Sequence, residues 1–121
     1  MITSVGLDLI CNLLANTGTS ASQLAYIALS SDATTPTVDD VMPLTGEFAR
    51  QAATVAYTTG TGQLSFTITY TASGSVTMNK AALTDNATPG SGVLAFVGLN
   101  PGPLALNSGD VTGQTITVTF S

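Results

Sequence analysis

Histidine and tryptophan are absent from this chain, and charge of either sign is scarce. Without histidine there is no side chain that ordinarily titrates near neutrality, no imidazole metal ligand and no histidine-based triad. A single cysteine, Cys11, cannot close an internal disulfide, which suits a protein made in a reducing cytoplasm. Arg50 and Lys80 are the only two cations. Two cations cannot neutralise a run of phosphates, so nucleic-acid binding is not expected, and an anionic membrane surface finds little to attract. Apolar runs stop well short of the roughly 18 residues that carry a helix across a bilayer. The opening MITSVGLDLICNLLAN lacks a basic flank and holds Asp8 inside its apolar stretch, so it reads as mature structure rather than a signal peptide.

What is present is a neutral, hydroxyl-rich chain. Its 121 residues suit one domain spanning 1–121. Charged residues make up 7% of it, against about 25% in an ordinary soluble domain. Threonine and serine, 21 and 11 residues, take their place at net charge −5. Such a surface repels copies of itself weakly, a property that fits life inside an assembly.

Periodicity indicates an all-β chain with one short N-terminal helix. Over residues 4–15, Val5, Leu9, Ile10, Leu13 and Leu14 recur at helical spacing; Ser4 is placed to cap, and Asn16, Thr17 and Gly18 to stop it. Cys11 is expected to be a small buried side chain on that helix. Strands follow from about 24 to 120. LAYIALS (24–30) reads as a buried strand, and EFARQAATVAYTT (47–59) as one long strand. QLSFTITYTA (63–72) alternates, with Leu64, Phe66, Ile68, Tyr70 and Ala72 on one side and Ser65, Thr67, Thr69 and Thr71 on the wet side. The SGS turn at 73–75 then predicts a hairpin with 76–84. VLAFVGL (93–99) reads as a short strand, NPGPLALNSGD (100–110) as a turn-rich connection, and QTITVTFS as a last strand with Ile116, Val118 and Phe120 inward. Strands spaced by glycine and proline turns make an antiparallel β-sandwich.

Chemistry is thinly provided, and no enzyme activity, cofactor or metal is expected. Asp32, Asp39 and Asp40 share one loop, but without the regular spacing of a calcium loop; turn formation is the favoured role. Asp85 and Asp110 follow strand ends, where carboxylates bond turn amides. GTG (60–62) and PGSG (89–92) lie between strands with no following helix, so they are turns rather than phosphate loops. A glycosidase would need carboxylates facing across a cleft, usually with aromatic platforms. Lys80, in MNKAAL, is placed to protect a sheet edge or to meet a carboxylate on a neighbour.

That leaves PLTGEFAR (43–50), with the only glutamate and the only arginine. Three apart on a strand, Glu47 and Arg50 face opposite sides; three apart on a helical turn, they are neighbours. The favoured reading is a structural clip: Glu47 accepts from loop amides at the mouth of a strand, and Arg50 reaches a carbonyl or carboxylate. An inter-subunit contact is the alternative.

The order of short motifs resembles small bacteriophage virion proteins. An I-T-x-x-G-L-x-x-I helix precedes YIAL, then LTGEFAR, a threonine-rich strand ending YTASGSV, ALTD, a glycine-rich loop before VLAF, and NSGD before TITVTF. Head-decoration (cement) proteins and tail-appendage proteins on jelly-roll-like sandwiches share this kind of order. The resemblance implies a homotrimer that clamps the major capsid protein from outside the head. Its alternative is a tail, fibre or baseplate component, with glycan contact in view. Either places the protein in the virion, after synthesis in the host cytoplasm.

Overall fold

The computed structural model describes residues 1–15, 23–58 and 60–119. One helix, α1 (Ser4–Ala15), precedes seven strands: β1 (Tyr26–Ser30), β2 (Glu47–Ala52), β3 (Thr54–Thr58), β4 (Gln63–Thr71), β5 (Val76–Thr84), β6 (Leu94–Leu106) and β7 (Val111–Thr119). Two antiparallel sheets face each other, one ordered β2-β1-β5-β6 and the other β3-β4-β7. The fold is therefore an all-β sandwich with one short helix; the described residues hold seven strands, against the eight of a full jelly roll. The expected helix stop at Asn16–Gly18 and the inward-facing Phe120 lie outside the described residues.

Alternating apolar residues from both sheets fill the space between them. Ile27 and Leu29 of β1 and Met78 and Leu83 of β5 meet Phe66, Ile68 and Tyr70 of β4 and Val118 of β7. Each such side chain, fully buried, contributes about 1.5–3 kcal/mol. Phe48 joins them, its ring tilted against Tyr70 at a centroid separation of 5.7 Å.

The helix is tied to β6 at its first turn. Thr3, not Ser4, is the cap: its hydroxyl accepts the Gly6 amide at 3.0 Å and donates to the Leu94 carbonyl. Gly6 lies so close to the strand that a Cβ there would fall 2.3 Å from the Ala95 carbonyl oxygen. No larger residue fits without displacing α1. Cys11 is exposed rather than buried, because it lies two positions from buried Leu9, about 200° around the helix, and four from exposed Leu7.

Three expected elements are redrawn. The expected single strand at 47–59 is two strands over its described residues, β2 and β3, since the chain crosses between sheets at Ala53, whose amide bonds the Ala25 carbonyl at 2.8 Å. β4 and β5 form no hairpin: β4 pairs with β3 and β7, and β5 with β1 and β6. Ala72 instead exchanges bonds of 2.8 Å with Asp110 and Gly109, joining two connections that both pass between the sheets. Their apolar faces meet across the core rather than lying side by side. Finally, β6 continues through Pro101 and Pro103 to Leu106, with a register shift opposite Met78 and Lys80. An edge strand tolerates the missing proline amides, and Met1–Thr3 run along the other end of it.

Candidate functional site

Arg50 and Lys80, with their carboxylate partners Glu47 and Asp32, meet at the outer face of the four-stranded sheet, where the loops 31–46 and 85–93 cover it. That face is floored by a small apolar cluster of Ala28, Ala82, Leu94 and Val97 with Leu44 from the first loop. Two irregularities in strand register decide which side chains reach it.

The first lies in β2. Leu29 pairs with Ala49 and Ser30 with Glu47, which leaves Phe48 as an extra residue. Phe48 and Ala49 both pack towards the inter-sheet core. The residues flanking them, Glu47 and Arg50, consequently share the outer face, as their partners Ser30 and Ala28 do on β1. Regular alternation would have put them on opposite faces. The bulge therefore permits what their spacing alone forbids.

Glu47 and Arg50 meet as a two-point pair, Nε to Oε2 at 2.7 Å and Nη2 to Oε1 at 2.8 Å, with side chains 7% and 1% exposed. Arg50 Nη1 then donates to three carbonyls of one loop: Asn86 at 2.9 Å, Thr88 at 2.8 Å and Ser91 at 2.8 Å. Met42 Sδ lies 3.5 Å from Nη2, and the Gly90 amide donates to Glu47 Oε1 at 3.3 Å. The loop thus curls around the guanidinium as backbone carbonyls curl around a bound cation. Its own ends are closed by Asp85, whose Oδ1 accepts the Val93 amide at 2.8 Å, and by Asn86, whose Oδ1 accepts the Thr88 amide at 2.8 Å. Gly92 makes the closure with φ of 89°, where a Cβ would come within 2.5 Å of Asn86 Cβ.

The second irregularity lies in β5. Met78 is in the inter-sheet core, yet Lys80, two residues on, serves the outer face. The register shift between them breaks the alternation that would have kept both on one side. Lys80 is 3% exposed on a strand flanked by β1 and β6, so it does not guard an edge. Its Nζ meets Asp32 Oδ2 at 2.7 Å, a carboxylate of its own chain. The Lys80 ammonium, then the Thr34 hydroxyl and amide, hold the Asp32 carboxyl at about 2, below its ordinary 3.8. Asn79 Nδ2 donates to the Ser31 carbonyl at 2.8 Å, pinning the same loop beside this pair.

Of the loop aspartates, Asp32 is thus engaged with Lys80, and Asp40 with the Thr37 amide and hydroxyl at 3.1 and 2.9 Å. Asp110 accepts the Asn107 amide at 2.8 Å within its turn. A polar hollow of about 230 Å³ lies between Asp32, Lys80, Asp40 and Thr45. Among the described residues, no three His, Cys, Asp or Glu side chains are grouped to hold a metal ion. Chemically, then, the site is a pair of latches: each cation grips a loop and lays it on the sheet. Sequence reasoning singled out Glu47, Arg50 and Lys80, and weighed Asp32 as a calcium or turn carboxylate rather than as the partner of Lys80; it missed Met42 and the carbonyls at 86, 88 and 91. A carbonyl carries no residue signature, and Lys80 and Asp32 are 48 positions apart.

The chain matches no known protein family, no curated protein and no solved structure.

Proposed function

We propose that this chain is a non-enzymatic structural subunit of a bacteriophage virion, first of all a decoration protein that stabilises the head from outside. In this reading it acts as a homotrimer seated on the major capsid protein. The observation that carries the reading is the commitment of both cations to internal latches, Arg50 on the 86–91 carbonyls and Lys80 on Asp32. Charges used in this way stiffen a module and leave its neutral, hydroxyl-rich exterior for contact with other subunits. The motif order from the I-T-x-x-G-L-x-x-I helix to TITVTF supports the phage assignment. The exposed threonines of β4 and β7 favour a second reading, a tail, fibre or baseplate component that touches host glycans.

Quantitative mass spectrometry of purified particles tests the choice. Hundreds of copies per particle are expected for a head decoration protein, and a handful would support the tail reading instead. Immunogold label on the tail, with signal on a glycan array, would do the same.

A further inference from the structure

The two sheets treat their edges differently. In the four-stranded sheet, edge strand β2 is bulged and carries the Glu47–Arg50 pair, and β6 carries two prolines and runs beside Met1–Thr3. These are the usual guards against strand addition. In the three-stranded sheet, β3 (TVAYT) and β7 (VTGQTITVT) are the edges, and neither holds a charge or a proline. Among the described residues, no further strand pairs with either of them.

The two open edges differ in shape. Val55 and Tyr57 pair in register with inward-facing Phe66 and Leu64, so they lie in the inner layer of the sheet. They nevertheless stand 48% and 61% exposed, as apolar knobs beyond the reach of the opposite sheet. Beside β7 the same layer shows the converse: a cleft of about 410 Å³ between Phe96 of β6 and Ile116 and Val118 of β7, closed on one side by Met1 and Ile2. Knobs at one edge and a recess at the other, in one layer of one sheet, match each other rather than themselves.

We propose that the three-stranded sheet is extended by a second copy of the chain, β3 of one copy adding to β7 of the next, with Val55 and Tyr57 seated in the cleft. The contact is heterologous, because the surfaces that meet are different, and it leaves each copy free to bind another at its remaining edge. Alternate amides and carbonyls of β7 supply the ladder, and the seated side chains fix its register. No charge on either strand opposes the approach. The proposal deepens the assembly reading above by naming the self-contact, and it rests on that reading only for its biological setting.

Sedimentation equilibrium on the intact chain tests it. The wild type is expected to sediment well above its 12.1 kDa chain mass. Tyr57→Lys changes an exposed knob and Ile116→Lys a half-buried side chain in the cleft; each is expected to weaken association at least tenfold while circular dichroism shows the chain still folded. Thr69→Lys, on the outer face of the same sheet, is expected to leave the mass unchanged. Mixing the first two variants decides the geometry: each keeps one good edge, so the mixture is expected to form a one-to-one dimer and stop there. A wild type monomeric at millimolar concentration, a Tyr57→Lys chain of undiminished mass, or a mixture that stays monomeric would each overturn the proposal. Association through Tyr57 by a chain absent from purified particles would end the virion reading and leave this one standing. Particles that retain a chain monomeric in solution, and retain Tyr57→Lys equally well, would do the reverse.

Discussion

The outer face of the four-stranded sheet and the outer face of the three-stranded sheet are both built on antiparallel strands, yet they are organised on opposite principles. The first is interrupted by register shifts in β2 and β5, and those shifts turn Arg50 and Lys80 towards long loops that they hold down. The second keeps an unbroken register over the nine residue pairs between β4 and β7. It carries no charge and is mostly threonine, with hydroxyls that meet across strands, as at Thr67 and Thr115, 3.2 Å apart. The contrast shows how a chain with two cations deploys them. Charge goes where irregular backbone must be held in place, because a guanidinium can satisfy several loop carbonyls at once. A regular ladder satisfies its own backbone and needs no such help.

The comparison breaks most visibly if the larger latch is cut. Arg50→Ala removes the partner of a nearly buried carboxylate and the donor to three carbonyls. The expected loss is about 3–5 kcal/mol, read by urea unfolding. Wild-type stability in that variant would show that the loop holds itself. Lys80→Met should cost less, because Asp32 is less enclosed than Glu47 and retains its bonds from Thr34. Amide exchange should then quicken in residues 31–46 before it does in β4.

Acid separates the two faces without mutation. The folded Asp32 carboxyl titrates at about 2 against an ordinary 3.8. Its contribution to stability is therefore complete above 3.8 and is lost as pH falls through that value towards 2. Asp32→Asn should flatten the stability profile across this window, and an unchanged slope would remove the pair from the account. A smaller effect of opposite sign is expected at Thr84. Its hydroxyl is buried with no hydrogen-bond partner, so Thr84→Val should gain about 1 kcal/mol in thermal unfolding. The smallest change belongs to the regular face, where Thr67→Ala should shift stability by less than about 0.5 kcal/mol. A larger loss would mean that the threonine rows act as a unit.

How far the sequence could be read follows the same division. The alternation of QLSFTITYTA placed Phe66, Ile68 and Tyr70 in the core, where they are, because a regular strand translates period directly into facing. The helix at 4–15 was legible for a similar reason. Failures cluster where a residue is inserted or the chain changes sheet. Alternation is identical whether two strands lie side by side or face each other across a core, so the SGS turn suggested a hairpin where the chain crosses between sheets. Nothing in EFARQAATVAYTT marks Ala53 as a crossing point, since its partner is Ala25, far upstream. The pairing of Glu47 with Arg50 was hidden more deeply: spacing argued against it, and only the extra residue Phe48 reverses that argument.

Composition and period by themselves determined the class of the molecule: two layers of antiparallel strand, one helix, threonines in water and almost no charge to distribute. These are local properties, fixed by which side chains prefer a pleated, half-buried surface. Tertiary structure alone decided which strands share a sheet, where the register slips and what each cation grips. Those outcomes depend on contacts between residues distant along the chain, and on backbone carbonyls that every residue possesses alike.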